Sequence, residues 1–597
     1  MRHALLSFLA TLILSAVIAS PTAADDFLTV TEQNDFRITA TYDETIDFLR
    51  RLEKASPYAK LTVFGRTPQG RDLHCFIVSK DRAFTPADAK KTGKVILLVQ
   101  NGIHAGEIDG KDASMILLRE ILVTREREPL LDNVILLIIP MINPDGHENN
   151  SRYTRANQYG PENAGFRVTA QRYNLNRDYM KADALEMRAW LRLWTTWMPD
   201  FFIDNHVTDG HDWQYVINYT MPWQPNAAAA IRQWTREQFD PYFHSRCADL
   251  GFPPFPYAFP MRNRTDGAVG TYVDIPRLST GYTALWNRPG LLIEMHSLKE
   301  YEPRVRGNHA AMVAVLELLN REAASLKEAI ARADADLIGG VLDSVPIAFQ
   351  PTGESTMVAV RNYSSALDSG HVTGGRFTRW DRSRPQIDTV PYFASFRPRA
   401  QVAIPRAYLI PREWTDVIER LRWHGVAMRT LAAPATLPVE LYYLDSADWA
   451  EEANEGHVRV ACKARRVDTT LSYPAGTVVI DPRQPAGKVA VHALEPEAPD
   501  SFLGWGFFNT VLEQKEYAEG YVIDPLADSL YAADPQIRAA FDARVAADTT
   551  FARSVQAKRD FFYKRSRFAE GGLNWYPVAR LRGDIPATSP WKDDDAR

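Results

Sequence analysis

Two short runs built of valine, isoleucine and leucine constrain the fold of this 597-residue chain more than any other feature. Val95–Val99 and Val134–Ile139 show no alternation of polar and apolar residues, which is typical of strands buried on both faces. Other strand and helix patterns alternate along the first half of the chain, with strands at Phe201–Asn205 and Leu291–Met295 and helices at Asp112–Val123, Ala184–Trp197, Ala227–Leu250 and His309–Ala331. This order predicts an α/β fold with a mixed, largely parallel sheet flanked by helices.

The chain is too long for one hydrophobic core, and its pattern of polar and apolar residues changes after about Asp336. Short alternating segments separated by proline and glycine then predict a smaller β-rich region, with a helix at Trp414–His424 and a helical tail at Asp534–Arg567. We therefore predict that residues 25–335 form the α/β domain and that 336–597 form a C-terminal region whose role the sequence does not reveal.

The first 24 residues differ from the rest of the chain. Arg2 and His3 precede an apolar stretch, Leu5–Ala19, that is followed by small residues up to Ala24. This pattern predicts an export signal at 1–24 and therefore a periplasmic or secreted protein. The stretch is shorter than the ~20 residues of a spanning helix, which favours cleavage over an uncleaved anchor. No later run is long enough to cross a bilayer, so no membrane span is expected after cleavage.

Charge and cysteine content exclude two classes of protein. The net charge is −5 at pH 7 and no run of lysine and arginine is present, so nucleic acid is not an expected partner. The three cysteines, Cys75, Cys247 and Cys462, are an odd and widely spaced set, which is not a disulfide framework. Stability must therefore come from core packing. The sequence is compatible with one disulfide bridge but does not indicate which two cysteines would form it.

The first candidates for chemistry are a histidine and a glutamate three residues apart. His104 and Glu107 follow the strand predicted at Val95–Val99, and the ends of such strands are where sites gather. An imidazole nitrogen and a carboxylate oxygen can bind the same zinc ion. The spacing alone is a weak signal, because His492 and Glu495 repeat it in a stretch predicted to be β-rich, with no other candidate ligands nearby.

Four further motifs follow the pair in a fixed order. They are Asn143-Pro144-Asp145-Gly146, Asn174-Leu175-Asn176-Arg177, Asp204-Asn205-His206 and Leu291-Leu292-Ile293-Glu294-Met295. In this order the sequence resembles the zinc carboxypeptidase family of metallopeptidases, over roughly residues 40–335. The marks of that family are a His-x-x-Glu pair after a strand, an Asn-Pro-Asp-Gly turn, an Asn-Arg pair, a distant third histidine and a catalytic glutamate on a late strand.

The resemblance implies a catalytic zinc site. His104, Glu107 and His206 would hold one Zn²⁺ per chain and leave the fourth position to water. Zinc would lower the pKa of that water toward ~7, and Glu294 would take its proton and deliver it to the leaving nitrogen. Apolar neighbours on both sides of Glu294 favour this role over that of a solvated or paired carboxylate.

The resemblance also implies a substrate-binding pair, Asn176 and Arg177. A guanidinium matches a carboxylate through two parallel hydrogen bonds, so Arg177 would bind the free C-terminal carboxylate of a substrate. A structural ion pair between Arg177 and Asp178 is the alternative. A carboxylate-binding arginine favours release of a terminal residue over cleavage within a chain.

The roles of three further positions are not settled by the sequence. Arg155 is implied as the arginine that stabilises oxyanion charge, with Arg152 as its competitor. Tyr282 is implied as the tyrosine that closes over the substrate, with Tyr272 as its competitor. Asn174 departs from the family, which has an aspartate there that accepts a hydrogen bond from a ligand histidine. An amide supplies no negative charge, so metal affinity or water activation is expected to differ from the family norm.

The function implied by these residues is that of a zinc metallocarboxypeptidase, a hydrolase that cleaves a C-terminal peptide or amide bond. Its substrate would be a peptide or an N-acyl amino acid with a free carboxylate. The alternatives are an N-acyl-amino-acid deacylase or amidase on the same scaffold and a catalytically inactive binding protein. Retention of three metal ligands and of the glutamate disfavours the inactive protein, and a structural zinc site would need a fourth protein ligand.

Overall fold

The computed structural model describes residues 25–261, 264 and 266–590. The export signal predicted at 1–24 lies outside the described residues. Within the described part of the chain, no helix combines the length and the apolar character that a membrane span requires.

The first half of the chain contains strands β1–β10 and helices α1–α11. The strands are β1 (Ala59–Arg66), β2 (Asp72–Val78), β3 (Val95–Gln100), β4 (Val134–Ile139), β5 (Phe201–Thr208), β6 (Ile217–Thr220), β7 (Phe255–Pro256), β8 (Phe259–Pro260), β9 (Val269–Gly270) and β10 (Gly290–His296). The helices are α1 (Val30–Gln33), α2 (Tyr42–Ala55), α3 (Pro86–Thr92), α4 (Asp109–Leu122), α5 (Pro144–Glu148), α6 (Leu185–Trp197), α7 (Ala229–Trp234), α8 (Asp240–Asp249), α9 (Ser279–Leu285), α10 (Tyr301–Arg321) and α11 (Ala323–Ile338).

Eight of these strands form one mixed sheet in the order β1-β2-β4-β3-β5-β10-β6-β7. At its centre, β3 is parallel to β4 and β5, and β5 is parallel to β10. Antiparallel pairs join β1 to β2, β2 to β4 and β6 to β10. The predicted mixed α/β fold is confirmed, and the carboxyl ends of the central strands lie together at one edge of the sheet.

The central strands contribute to two hydrophobic cores, one on each face of the sheet. In β3, Val95, Leu97 and Val99 belong to the core that contains α4 and α10, whereas Ile96 and Leu98 belong to the core that contains α6 and α9. All five side chains are at most 3% exposed, which confirms a strand buried on both faces. The three cysteines, Cys75, Cys247 and Cys462, are free.

Two segments predicted as single helices are interrupted. The segment predicted at Ala227–Leu250 contains a π-helical turn, Thr235–Phe239, between α7 and α8. The segment predicted at His309–Ala331 belongs to two helices, α10 and α11, which meet at Glu322. The hydrophobic periodicity continues across both breaks, so the pattern alone does not locate them.

The second half of the chain is β-rich, as predicted, and ends in a helical segment. Its strands are β11 (Ser344–Pro351), β12 (Thr356–Ser369), β13 (Arg376–Phe393), β14 (Phe396–Ala403), β15 (Tyr408–Ile410), β16 (Arg429–Leu431), β17 (Ala435–Trp449), β18 (Val460–Tyr473), β19 (Val478–Ile480), β20 (Ala579–Leu581) and β21 (Thr588–Pro590). Its helices are α12 (Thr415–Trp423), α13 (Gly487–Leu494), α14 (Gly520–Ala533), α15 (Pro535–Ala547), α16 (Thr549–Arg553) and α17 (Val555–Tyr563). A seven-stranded sheet has the order β18-β17-β20-β15-β19-β16-β21.

The C-terminal region packs directly on the α/β sheet layer. The boundary predicted between residues 335 and 336 lies inside α11. One hydrophobic cluster contains Trp190 of α6 and Tyr282 of α9 together with Tyr408 of β15 and Val489 of α13. The separate-domain status of 336–597 stays a prediction, but its core side chains are continuous with those that cover the sheet.

Candidate metal centre and its cavity

The loop between β3 and α4 places His104 and Glu107 at the carboxyl edge of the sheet. The N–H of Glu107 donates to the carbonyl of His104 at 2.9 Å, which closes one turn between the two residues. A Cβ at Gly106 would lie 2.5 Å from the carbonyl oxygen of Gly165. Glycine at this position therefore allows the segment after β4 to lie directly against the turn.

Neighbouring strands β5 and β10 supply the other two predicted residues. His206 and Glu294 are register partners on these parallel strands, whose backbones lie about 4.8 Å apart. Asp204 lies two residues before His206 and therefore on the same face of β5. His206 Nδ1 is 3.0 Å from Glu107 Oε2, so the strand and the loop meet at one point.

The hydrogen bonds of the two histidines fix which ring nitrogen carries the proton. His104 Nε2 lies 3.1 Å from Asn174 Oδ1, and His206 Nε2 lies 2.7 Å from Asp204 Oδ2. Because both partners are acceptors, each Nε2 is the donor, and the Nδ1 of a neutral ring is then an unprotonated lone pair. His104 Nδ1 faces Glu107 Oε2 at 3.1 Å, as His206 Nδ1 does at 3.0 Å.

When both rings are neutral, three lone pairs therefore converge on one point, and this arrangement suits a cation. The potential ligand atoms of His104, Glu107 and His206 lie within 4.8 Å of one another, and all three residues are buried. Lone pairs directed at one another repel unless a positive charge lies between them. Two imidazoles and one carboxylate are a donor set used by catalytic zinc, so the residues present fit this ion.

Two arginines hold the outer oxygen of Glu107. Arg155 Nη2 donates to Glu107 Oε1 at 2.9 Å, and Arg167 Nη1 does so at 3.3 Å. Both arginines line the cavity that also contains His104 and Glu107 in its wall, whereas Arg152 stacks on Tyr153 and is not among the lining residues. The placement therefore favours Arg155 over Arg152, and it adds Arg167, for which the sequence carried no signal.

Glu294 faces the same cavity, and none of the described residues donates a hydrogen bond to its carboxylate. Its Oε2 is buried and has no hydrogen-bond partner among the described residues. Burial raises the pKa of Glu294 to about 8, with His206 opposing the shift and Glu107 adding to it. A buried carboxylate without a donor beside three converging lone pairs is an environment for chemistry rather than for structural support.

The cavity measures about 760 Å³ and contains Asn176 and Arg177 in its wall. Arg177 Nη1 donates to the Asn176 carbonyl at 2.6 Å, and no carboxylate of the described residues lies within ion-pair distance of this guanidinium. Asp178, the alternative partner, is paired with Lys181 and accepts from the N–H of Ala184 at 2.9 Å. Arg177 therefore keeps donors directed at the cavity.

The prediction for Tyr282 is wrong in this structure. Its side chain is fully buried in α9, and its hydroxyl donates to His424 Nδ1 at 2.8 Å. His424 in turn donates from Nε2 to the carbonyl of Met180 at 2.9 Å, which fixes the ring. The competitor Tyr272 does line the cavity, as does Tyr257. The sequence offered both Tyr282 and Tyr272, and only tertiary packing separated them.

The C-terminal region supports two segments of the cavity wall. Glu455, in the loop between β17 and β18, accepts from the N–H of Asn174 at 3.4 Å. Asp500 accepts from the backbone N–H of Arg277 at 3.0 Å and pairs with its Nε at 2.6 Å. Arg277 lines the cavity. These contacts connect residues 336–597 to the site, which the sequence did not indicate.

The second His-x-x-Glu spacing is structural. His492 lies in helix α13, so the predicted β-rich setting is wrong there. The carboxylate of Glu495 is surrounded by donors, since it accepts from Tyr408 at 2.6 Å and from Tyr442 at 2.5 Å and also pairs with Arg580. Both of its oxygens therefore already accept hydrogen bonds from side chains.

The fold and the site together define a class of protein. A mixed α/β sheet with a buried His-Glu-His set at the carboxyl edge, and an unbonded glutamate facing it across a cavity, is the architecture of a metal-dependent hydrolase.

Comparison with known proteins finds similarity to carboxypeptidases. A family model described as zinc carboxypeptidase matches residues 45–205. Carboxypeptidase 2 of Trichophyton rubrum is 23% identical over 490 residues, which cover 78% of this chain and 84% of the relative. Probable carboxypeptidase 2 of Arthroderma benhamiae is 23% identical over 478 residues, with 77% and 84% covered. A metallo-carboxypeptidase structure from Burkholderia cenocepacia aligns at 18% identity and a TM-score of 0.35 over 48% of this chain and 70% of that one. Residues 45–205 are thus similar to zinc carboxypeptidases, and the chain is similar to carboxypeptidases over most of its length.

Proposed function

We propose that this protein removes the C-terminal residue from peptides, with one zinc ion held by His104, Glu107 and His206. The observation that carries the proposal is the convergence of the Nδ1 atoms of His104 and His206 and of Glu107 Oε2 at one point. The unbonded carboxylate of Glu294 faces the same cavity. Zinc bound there supplies a Lewis acid that polarises the scissile carbonyl and lowers the pKa of water beside it.

Arg177 and Asn176 bind the substrate in this proposal. The guanidinium has no carboxylate partner in the described part of the chain, and a substrate carboxylate provides one through two parallel hydrogen bonds. Because only the terminal residue of a peptide carries a free main-chain carboxylate, this contact selects the last peptide bond. Tyr272, whose hydroxyl has no hydrogen-bond partner among the described residues, takes the place of Tyr282 at the cavity wall.

Glu294 and Arg155 act on the reacting atoms. Glu294 removes a proton from the attacking water and delivers it to the leaving nitrogen, which requires a carboxylate without competing donors. Arg155 uses one nitrogen on Glu107 and another on Gln158 Oε1 at 3.1 Å, which holds the guanidinium at the cavity wall. From there it stabilises the negative charge that develops on the carbonyl oxygen.

The pattern at 1–24 supports a further proposal, that the protein is exported to the periplasm or secreted. Fractionation of producing cells with an antibody to the mature chain tests it. Recovery of the full-length chain from the cytoplasm alone would contradict it.

The test of the proposed function is hydrolysis of a mixed library by the zinc-loaded protein. The library contains peptides with free C-termini, the same peptides as C-terminal amides, and N-acyl amino acids. We expect release of single C-terminal residues from the free peptides, with loss after chelation and a fall of about 10²–10⁴-fold for Glu294→Gln, since the general base is removed. Glu126→Gln, an exposed residue, is the matched control.

Three results discriminate among the alternatives. Cleavage of N-acyl amino acids without cleavage of peptides would replace the carboxypeptidase by a deacylase. Equal turnover by wild type, chelated protein and Glu294→Gln would defeat the mechanism. An absence of turnover in all samples of correctly folded, zinc-loaded protein would favour a binding protein.

A further inference from the structure

Asp274 is a buried carboxylate in the wall of the substrate cavity, and the proposed mechanism does not use it. The residue is 6% exposed. Its Oδ2 accepts from Thr280 Oγ1 at 2.7 Å, and its Oδ1 has no donor among the described residues. A carboxylate offers about four lone-pair sites, so most of the hydrogen-bonding capacity of this one is unused.

None of the cationic side chains around the cavity neutralises Asp274. Arg155 and Arg167 contact Glu107, and Arg277 is paired with Asp500. Arg177 donates to a backbone carbonyl instead. An ionised carboxylate buried without a cation is costly, and burial raises the pKa of Asp274 to about 6. A buried group of this kind in the wall of a ligand cavity indicates that the ligand supplies the missing charge.

The backbone around Asp274 holds the carboxylate in a fixed position. Asn226 Nδ2 donates to the Asp274 carbonyl at 3.0 Å. A Cβ at Gly281 would lie 2.1 Å from the carbonyl oxygen of Ile275, so α9 packs against this segment without an intervening side chain. The carboxylate is therefore a preorganised acceptor rather than part of a mobile loop.

Apolar side chains line the same cavity beside the carboxylate. Ile275, Leu278 and Leu292 are among the lining residues. Leu292 lies two residues before Glu294 on β10, so both side chains point to the same face of the sheet. A cavity wall that contains both apolar side chains and a carboxylate fits a side chain that has an aliphatic stem and a cationic end.

We propose that Asp274 recognises the positive charge of the side chain released by the enzyme, so that the preferred substrates end in lysine, arginine or a similar amine-bearing residue. This inference rests on the proposed carboxypeptidase function. Arg177 binds the main-chain carboxylate of the terminal residue, Leu278 and Leu292 contact the methylene stem, and Asp274 accepts hydrogen bonds from the cationic end.

The test uses two peptides that differ only in the terminal residue, lysine in one and norleucine in the other. Norleucine has the same straight stem without the ammonium group. We expect the zinc-loaded wild type to release lysine with a kcat/KM about 10–100-fold above that for norleucine, the range of a hydrogen bond to a charged group. In Asp274→Asn the ratio should fall to about one, while norleucine release stays near the wild-type rate.

Controls separate recognition from folding and from the proposed function. Asp209→Asn removes another carboxylate from the cavity rim, where the residue is exposed, and should leave the ratio unchanged. Inhibition of the wild type by free lysine and free norleucine needs no variant, and lysine should bind more tightly. Norleucine release without a preference for lysine, or a ratio preserved in Asp274→Asn, would overturn this inference alone. An absence of release from both peptides would overturn the proposed function as well.

Discussion

Asp204 is expected to control zinc affinity through His206. In the family that the sequence resembles, an aspartate accepts a hydrogen bond from one ligand histidine, and this chain has Asn174 at that position, next to His104. In the structure an aspartate, Asp204, accepts a hydrogen bond from His206 instead. The contact between His206 Nε2 and Asp204 Oδ2 measures 2.7 Å, and both side chains are at most 1% exposed. The substitution Asp204→Asn keeps an acceptor at this position but removes its charge.

The expected loss follows from the strength of that hydrogen bond. A bond to a charged group contributes about 1.5–3 kcal/mol and a neutral one about 0.5–1.5, so the difference is on the order of 1.5 kcal/mol. This corresponds to about tenfold in affinity, at the lower end of the 10–100-fold typical of residues that support metal ligands. Gln100 Nε2 donates to Asp204 Oδ1 at 2.8 Å, and its own Oε1 is buried without a partner. Rotation of that amide would accommodate the new side chain, so the fold should survive.

The assay is competition for zinc with a chromophoric chelator at fixed pH, which does not depend on activity. Asp204→Asn should bind zinc about tenfold more weakly than wild type. Asn174→Asp in the same background should recover part of the loss, because it places a charge behind His104, although Glu455 near the backbone of residue 174 will oppose it. Zinc affinity of Asp204→Asn within twofold of wild type, at an unchanged melting temperature, would refute this reasoning.

Two further predictions concern the cavity wall. Arg177→Ala should raise the KM for peptides with free C-termini while leaving C-terminal amides little affected, because it removes only the carboxylate contact. Steady-state kinetics on the matched pairs of peptides measures this. An equal effect on both members of a pair would contradict the proposed role of Arg177. Asp500→Ala should lower the free energy of unfolding by about 3–5 kcal/mol, because Arg277 would lose a fully buried partner. Urea denaturation measures the loss, and stability equal to that of an exposed Asp584→Ala control would contradict it.

The residues that the motifs single out as candidate metal ligands lie close together because they are tied to regular elements. His104 and Glu107 follow a strand that the sequence identifies by its apolar run, and His206 and Glu294 lie within neighbouring strands. A strand fixes the face of each side chain by its period of two, so order along the chain was enough to predict convergence at one sheet edge.

Side chains whose orientation depends on packing were not predictable in this way. Tyr282 and Tyr272 lie ten residues apart in one loop-and-helix segment, and only the fold shows that the first faces His424 and the second faces the cavity. Arg167 reaches Glu107 from an irregular segment that has no periodic pattern. No sequence motif marks Asp274, because the lack of a cationic partner for its carboxylate among the described residues is a property of the fold.

The sequence by itself determined the α/β class, the central strands, the set of three candidate metal ligands and the candidate base, since local hydrophobic pattern and motif order are properties of the chain alone. Only the tertiary structure decided which histidine receives the supporting aspartate, which tyrosine faces the substrate cavity and how residues 336–597 support its wall. These outcomes depend on contacts between residues far apart in the chain, and such contacts are set by the packing of whole elements rather than by spacing along the sequence.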